Sequence, residues 1–130
     1  MSRARNGFDV APCVPAVVTD DVQSARDALK SYYSFYIGGM GAKSKNFYND
    51  LFVQYGYEAE AEEVQELFLG GQQVEAAAKI PDAFVDEVAL IGSVARIRER
   101  LAAFEESGAT TLLVSTRDVK TLRGVAEAAS

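Results

Sequence analysis

Ile37-Gly38-Gly39-Met40-Gly41-Ala42-Lys43-Ser44-Lys45-Asn46 is the stretch whose residue types best suit a ligand. Three glycines let backbone approach a bound group closely and leave N–H groups free to donate, while Lys43 and Lys45 add positive charge. That combination suits an anionic group. The competing reading is a helix-breaking connector with solvated lysines, because the spacing is neither a Walker A nor a GxGxxG pattern. A second candidate is Ser115-Thr116-Arg117, which follows a strand and precedes a helix that Asp118 caps. A helix N-terminus there favours an anion, and the alternative is an ordinary strand-to-helix turn.

Other chemistry is excluded. The chain has no histidine, so imidazole bases, Ser-His-Asp and Cys-His nucleophile systems and His-ligated zinc cannot be built from it. Its one cysteine, Cys13, cannot form an internal disulfide and reads as a small buried hydrophobe in an apolar strand. The acids of 58–66 follow a helical surface pattern and suggest no acid–base pair. Catalytic residues therefore stay unassigned, and no metal site is expected.

These loops need elements to hold them. Residues 8–18 read as a strand apolar on both faces, which suits a doubly covered parallel sheet, with Pro12 and Pro15 disturbing its upstream part. Thr19 caps a helix over 20–36, with Tyr32, Tyr33 and Tyr36 on its apolar stripe as core and interface aromatics. It ends at Gly38-Gly39. A helical insertion over 47–88 follows, then a short extended piece at 89–92. A Ser93-capped helix occupies 93–107, a strand 110–114, and an Asp118-capped helix 118–128. The order is two βα units with helices inserted between them, hence a helix-rich α/β chain.

The string Tyr36-Ile37-Gly38-Gly39-Met40-Gly41-Ala42-Lys43-Ser44-Lys45-Asn46-Phe47-Tyr48-Asn49-Asp50-Leu51 resembles a segment of luciferase-like monooxygenases, in the branch that uses the deazaflavin coenzyme F-420. Gly7-Phe8-Asp9-Val10-Ala11-Pro12, Tyr55-Gly56-Tyr57-Glu58, Ile80-Pro81-Asp82, Val88 to Ser93 and Ser107 to Val114 extend the likeness in the same order, from about Gly7 to Ala128. The resemblance implies the C-terminal fragment of a (β/α)8 TIM barrel, a fold of about 250 residues. It implies a hydride transferred between the coenzyme, or alternatively FMN, and an organic small-molecule substrate in the intact enzyme. Gly38, Gly39, Met40, Gly41, Lys43, Lys45 and Asn46 become cofactor-binding candidates. Ser115 and Arg117 join them because loops after the last barrel strands often hold phosphate. The ring-holding positions of earlier strands have no counterpart in this chain. It is therefore expected to be inactive alone and to hold no coenzyme tightly.

At 130 residues the length points to one domain, and 48% hydrophobic with 25% charged residues is ordinary for a globular chain. Thirteen basic and nineteen acidic residues leave a charge of −6, with nine acids against Lys79 alone between 58 and 90. Such a centre repels phosphate backbones, so nucleic acid is not an expected partner, and no apolar run is long enough to span a bilayer. A cytoplasmic protein is the expectation. Apolar strands with open edges also predict a homo-oligomer, with strands or helices exchanged between copies. The alternative to an enzyme fragment is a non-catalytic oligomeric interaction module on the same scaffold.

Overall fold

The computed structural model describes residues 7–130. They group into two compact units, one formed by the chain up to Ala25 together with Asp86–Ser130 and the other by Arg26–Val85. Each is described by itself.

The first unit is built on a parallel sheet of β1 (Cys13–Val18), β2 (Leu90–Gly92) and β3 (Leu113–Ser115), in the order β2-β1-β3. Cys13, Val14 and Pro15 of β1 lie opposite Leu113, Val114 and Ser115 of β3. Ala16, Val17 and Val18 lie opposite Leu90, Ile91 and Gly92 of β2. The strand expected over 8–18 thus begins at Cys13. Upstream, Val10 O accepts the N–H groups of both Thr110 and Thr111, an irregular pairing that a regular ladder does not contain. The second strand lies at 113–115 rather than 110–114 for the same reason. The extended piece at 89–92 is a strand too, because its backbone pairs with the last three residues of β1.

Helices α6 (Val94–Glu106) and α7 (Val119–Ala128) belong to this unit. Val14, Ala16 and Leu90 from the sheet join Ile97, Val125 and Ala128 in one buried cluster, with Val114, Leu101 and Phe104 packed on its margin. Registered residues of a parallel pair share a face. Val14 and Val114 therefore lie on the covered side, and Cys13 and Leu113 lie on the other, where Leu113 is 52% exposed. The sheet is not buried on both sides along β1 and β3. Cys13 is exposed, contrary to the buried hydrophobe read from its apolar neighbours, because the strand's alternation turns it away from the cluster.

Gly124 of α7 lies against Val18, where any Cβ would meet Val18 Cγ2 at 2.7 Å. Thr121, 1% exposed, accepts from Val18 N at 3.0 Å and fixes the same helix to the same strand.

The second unit is helical. Its elements are the body of α1 (Val22–Ser34), a π-helical turn at Phe35–Gly39, α2 (Phe47–Gln54), α3 (Glu58–Leu69), α4 (Gln73–Ala78) and the start of α5 (Asp82–Val88). The helix expected over 20–36 is α-helical only to Ser34, where it widens into the π-turn. The insertion expected over 47–88 is four helices. Phe52, Phe84 and Tyr57 stack or meet edge-on at 4.8 to 5.7 Å, and Tyr33 joins Phe84 at 5.4 Å, giving the unit a ring-lined core. Lys30 Nζ meets Asp82 Oδ1 at 2.5 Å, tying α1 to the start of α5.

Candidate functional site

The Gly38–Asn46 stretch lies in the helical unit, and its glycines have packing tasks. The ring of Phe68 lies across Gly38 and Gly39, so a Cβ at either would collide with it. A Cβ at Gly41 would collide with Lys45 O, where the loop returns on itself. Glycine allows this close approach, and the notches it leaves are filled from within the unit.

A π-turn displaces carbonyls from their α-helical partners, and those groups need others. Asn46 supplies one. Its Nδ2 donates to Tyr36 O at 3.0 Å and to Ile37 O at 2.9 Å. Its Oδ1 accepts from Tyr48 N and Asn49 N, capping α2. At 1% exposure, this one amide both satisfies the π-turn and starts the next helix. Asn49, which the sequence reading did not single out, donates from Nδ2 to Ile37 O at 3.2 Å and to Ala61 O at 2.9 Å. The two asparagines form a clasp joining the π-turn, α2 and α3. Their i, i+3 spacing at a helix start was the available signal.

What remains open to solvent is the loop's outer rim. Met40 is 47% exposed, and Lys45 is exposed with no carboxylate within ion-pair distance among the described residues. Lys43 is exposed but paired, its Nζ 3.0 Å from Glu66 Oε1 of α3. Ser44 has φ of +68°, the one left-handed non-glycine among the described residues. That strain sits between the two lysines.

Ser115 and Arg117 belong to the other unit, and both are exposed. The helix N-terminus beside them already has an anion. Asp118 accepts from Lys120 N at 3.0 Å, from Thr121 N at 3.1 Å and from the Thr121 hydroxyl at 2.7 Å. The Thr121 hydroxyl, then the Lys120 N–H, hold the Asp118 carboxyl below its ordinary range. Thr116 Oγ1 accepts from Asp118 N at 3.2 Å. A phosphate at this turn would meet Arg117 and Ser115, but the helix donors at Lys120 and Thr121 are spent.

Among the described residues no cluster of three His, Cys, Asp or Glu side chains could hold a metal, and no helix is long and apolar enough to cross a membrane. Tyr32, one of the three helix tyrosines expected as core or interface, is half-exposed and contacts Tyr36 at 4.9 Å.

Residues 1–111 match the profile of the luciferase-like monooxygenase family. A Mycobacterium tuberculosis protein, provisionally named as a coenzyme F-420-dependent oxidoreductase, is 34% identical over 124 residues. The match covers 95% of this chain and 36% of that protein, so the chain spans little more than a third of its relative's length. No solved structure matches the chain significantly.

Proposed function

The chain belongs to the luciferase-like monooxygenase family, and on that premise we propose that it forms part of an F-420-dependent oxidoreductase. The intact enzyme moves a hydride between the deazaflavin, or alternatively FMN, and an organic substrate. The observation carrying this reading is the 34% identity that runs through 95% of the chain. In barrel terms, β1 and β3 are two neighbouring strands hydrogen-bonded in parallel, with α6 and α7 on their outer side.

The described residues do not by themselves fit the ring of such a coenzyme. The glycine notches that would admit it hold Phe68 and the returning loop. What the helical unit offers is charge for an anionic group at Lys45 and, when released from Glu66, at Lys43; the sheet unit separately exposes Arg117. Met40 is exposed on the same loop as the two lysines. Gly38, Gly39, Gly41 and Asn46 support the loop that displays it. The hydride chemistry belongs to the coenzyme, and the protein's share is orientation and exclusion of water.

The test is steady-state kinetics of the intact enzyme carrying Lys43→Ala and Lys45→Ala together. The expected result is a raised KM for the coenzyme, with a melting temperature close to that of the parent, since each exposed lysine contributes within about 0.5 kcal/mol to stability. An unchanged KM leaves this loop as a connector. A second reading, an oligomeric interaction module, is favoured by the exposed rings of the helical unit.

A further inference from the structure

Gln65 of α3 is 5% exposed, and its Nε2 is buried with no hydrogen-bond acceptor among the described residues. An amide in that position is costly, because the water it gave up on folding is not replaced. Such a group calls for an explanation, and an acceptor brought by a ligand is one.

Its neighbours on the helix show what shares its side. Residues three and four apart on a helix lie on one face. Four residues before Gln65, Ala61 O accepts from Asn49 Nδ2 at 2.9 Å. Three residues after it, the ring of Phe68 lies across Gly38 and Gly39. The next residue, Glu66, holds Lys43 Nζ at 3.0 Å. Gln65 therefore belongs to the side of α3 that carries the π-turn and the loop after it. That loop closes on itself, Lys45 N donating to Ala42 O at 2.9 Å, so Lys43 and Lys45 rise from one tight bend. The stretch 31–49 contains no Asp or Glu, and the carboxylate that meets Lys43 comes from α3. Both partners of that pair are exposed, and an exposed ion pair contributes little to stability and exchanges readily for another anion.

We propose that Gln65, Lys43 and Lys45 together form a site for an anionic oxygen, of a phosphate or a carboxylate, which takes the place of Glu66 at Lys43 and accepts from Gln65 Nε2. The proposal rests on the reading that this loop faces the coenzyme. The lysines supply charge, and the amide supplies direction, since a donor is worth most to a charged oxygen. Without that oxygen the same amide weakens the fold. Binding and stability thus place opposite demands on residue 65.

Gln65→Met separates those demands, because methionine is unbranched, close to glutamine in length and without a donor. Its melting temperature should equal or exceed the parent's, since no hydrogen bond is lost. Fluorescence titration of coenzyme F-420 into the intact enzyme should show a dissociation constant raised about tenfold. Gln65→Leu, a second apolar variant, guards against local misfit. Glu66→Gln should act the other way and lower the dissociation constant a few fold. The proposal is overturned if both Gln65 variants melt well below the parent, which would make the amide a structural one, or if both bind the coenzyme as the parent does. Weaker binding by Glu66→Gln also overturns it. The Lys43→Ala, Lys45→Ala double variant shows which idea has failed: weakened binding there with none at Gln65 removes this site alone, and no change in either removes the reading too. Inorganic phosphate and acetate at equal ionic strength compete with the coenzyme as the last arm. The stronger competitor names the group, and competition by neither overturns the site.

Discussion

Asn46 is the residue with most at stake in the helical unit. Its amide makes four hydrogen bonds at 1% exposure, so Asn46→Ala leaves Tyr36 O and two N–H groups without that partner, while Ile37 O keeps only Asn49. The expected cost is about 3 kcal/mol, read from urea unfolding. Asn46→Asp keeps the cap and loses the donor to the π-turn, and should fall between the two. A loss under half a kcal/mol for alanine would remove the clasp from the account. At Asp118 the prediction concerns pH. Its pKa is lowered from 3.8 by the Thr121 hydroxyl and the Lys120 N–H. The folded carboxyl therefore holds its proton less well than the unfolded one. It contributes stability above the unfolded value and loses it as pH falls through the folded one. Asp9, held down by the hydroxyls of Thr110 and Thr111, and Asp21, held down by that of Ser24, act in the same direction. The stability gap between the parent and Asp118→Ala should be widest near neutral pH and should narrow progressively below about pH 4. A gap that stays constant down to pH 2 would show that the carboxylate's charge plays no part.

At the scale of elements, α7 is held to β1 by two small features. Thr121 accepts from Val18 N and donates to Asp118, and Gly124 makes room for the Val18 side chain. Thr121→Val keeps the shape and removes both bonds, which leaves the part-buried Val18 N without this acceptor. The cost should be about 1–3 kcal/mol. Amide exchange should quicken in 119–128 before it does in α6, and equal acceleration in both helices would argue that they open as one piece. This region also shows what the sequence disclosed. The caps Ser93 and Asp118 were visible because Ser and Asp before an apolar period signal a helix start, and each side chain does accept a backbone N–H there. Strand limits were less visible. Pairing is a property of two distant segments, so nothing in 89–92 alone shows that its backbone meets Ala16–Val18. The buried state expected of Cys13 failed because apolar neighbours fix a strand's character but not which of its faces is covered. The glycines of 38–41 were legible as places of close approach. That Phe68, some thirty residues on, is what approaches two of them was not.

At the scale of the whole molecule, family membership rests on a profile match over residues 1–111 and on 34% identity through 95% of the chain. The charge at Lys45 and Arg117 is exposed, the glycine notches are filled, and the chain covers 36% of its relative. A ligand bound tightly is ordinarily buried over most of its surface, and an exposed cation on the rim of a loop does not do that. The most direct measurement is a fluorescence titration of coenzyme F-420 into two proteins in parallel. One is the 130-residue chain, and the other is a longer protein that carries these residues together with the part of the relative's length that the chain does not span. The expected result is saturable binding in the micromolar range or tighter for the longer protein, weakened by Lys45→Ala, and no saturation for the 130 residues alone. Tight binding by the short chain, or none by the long one, would contradict it.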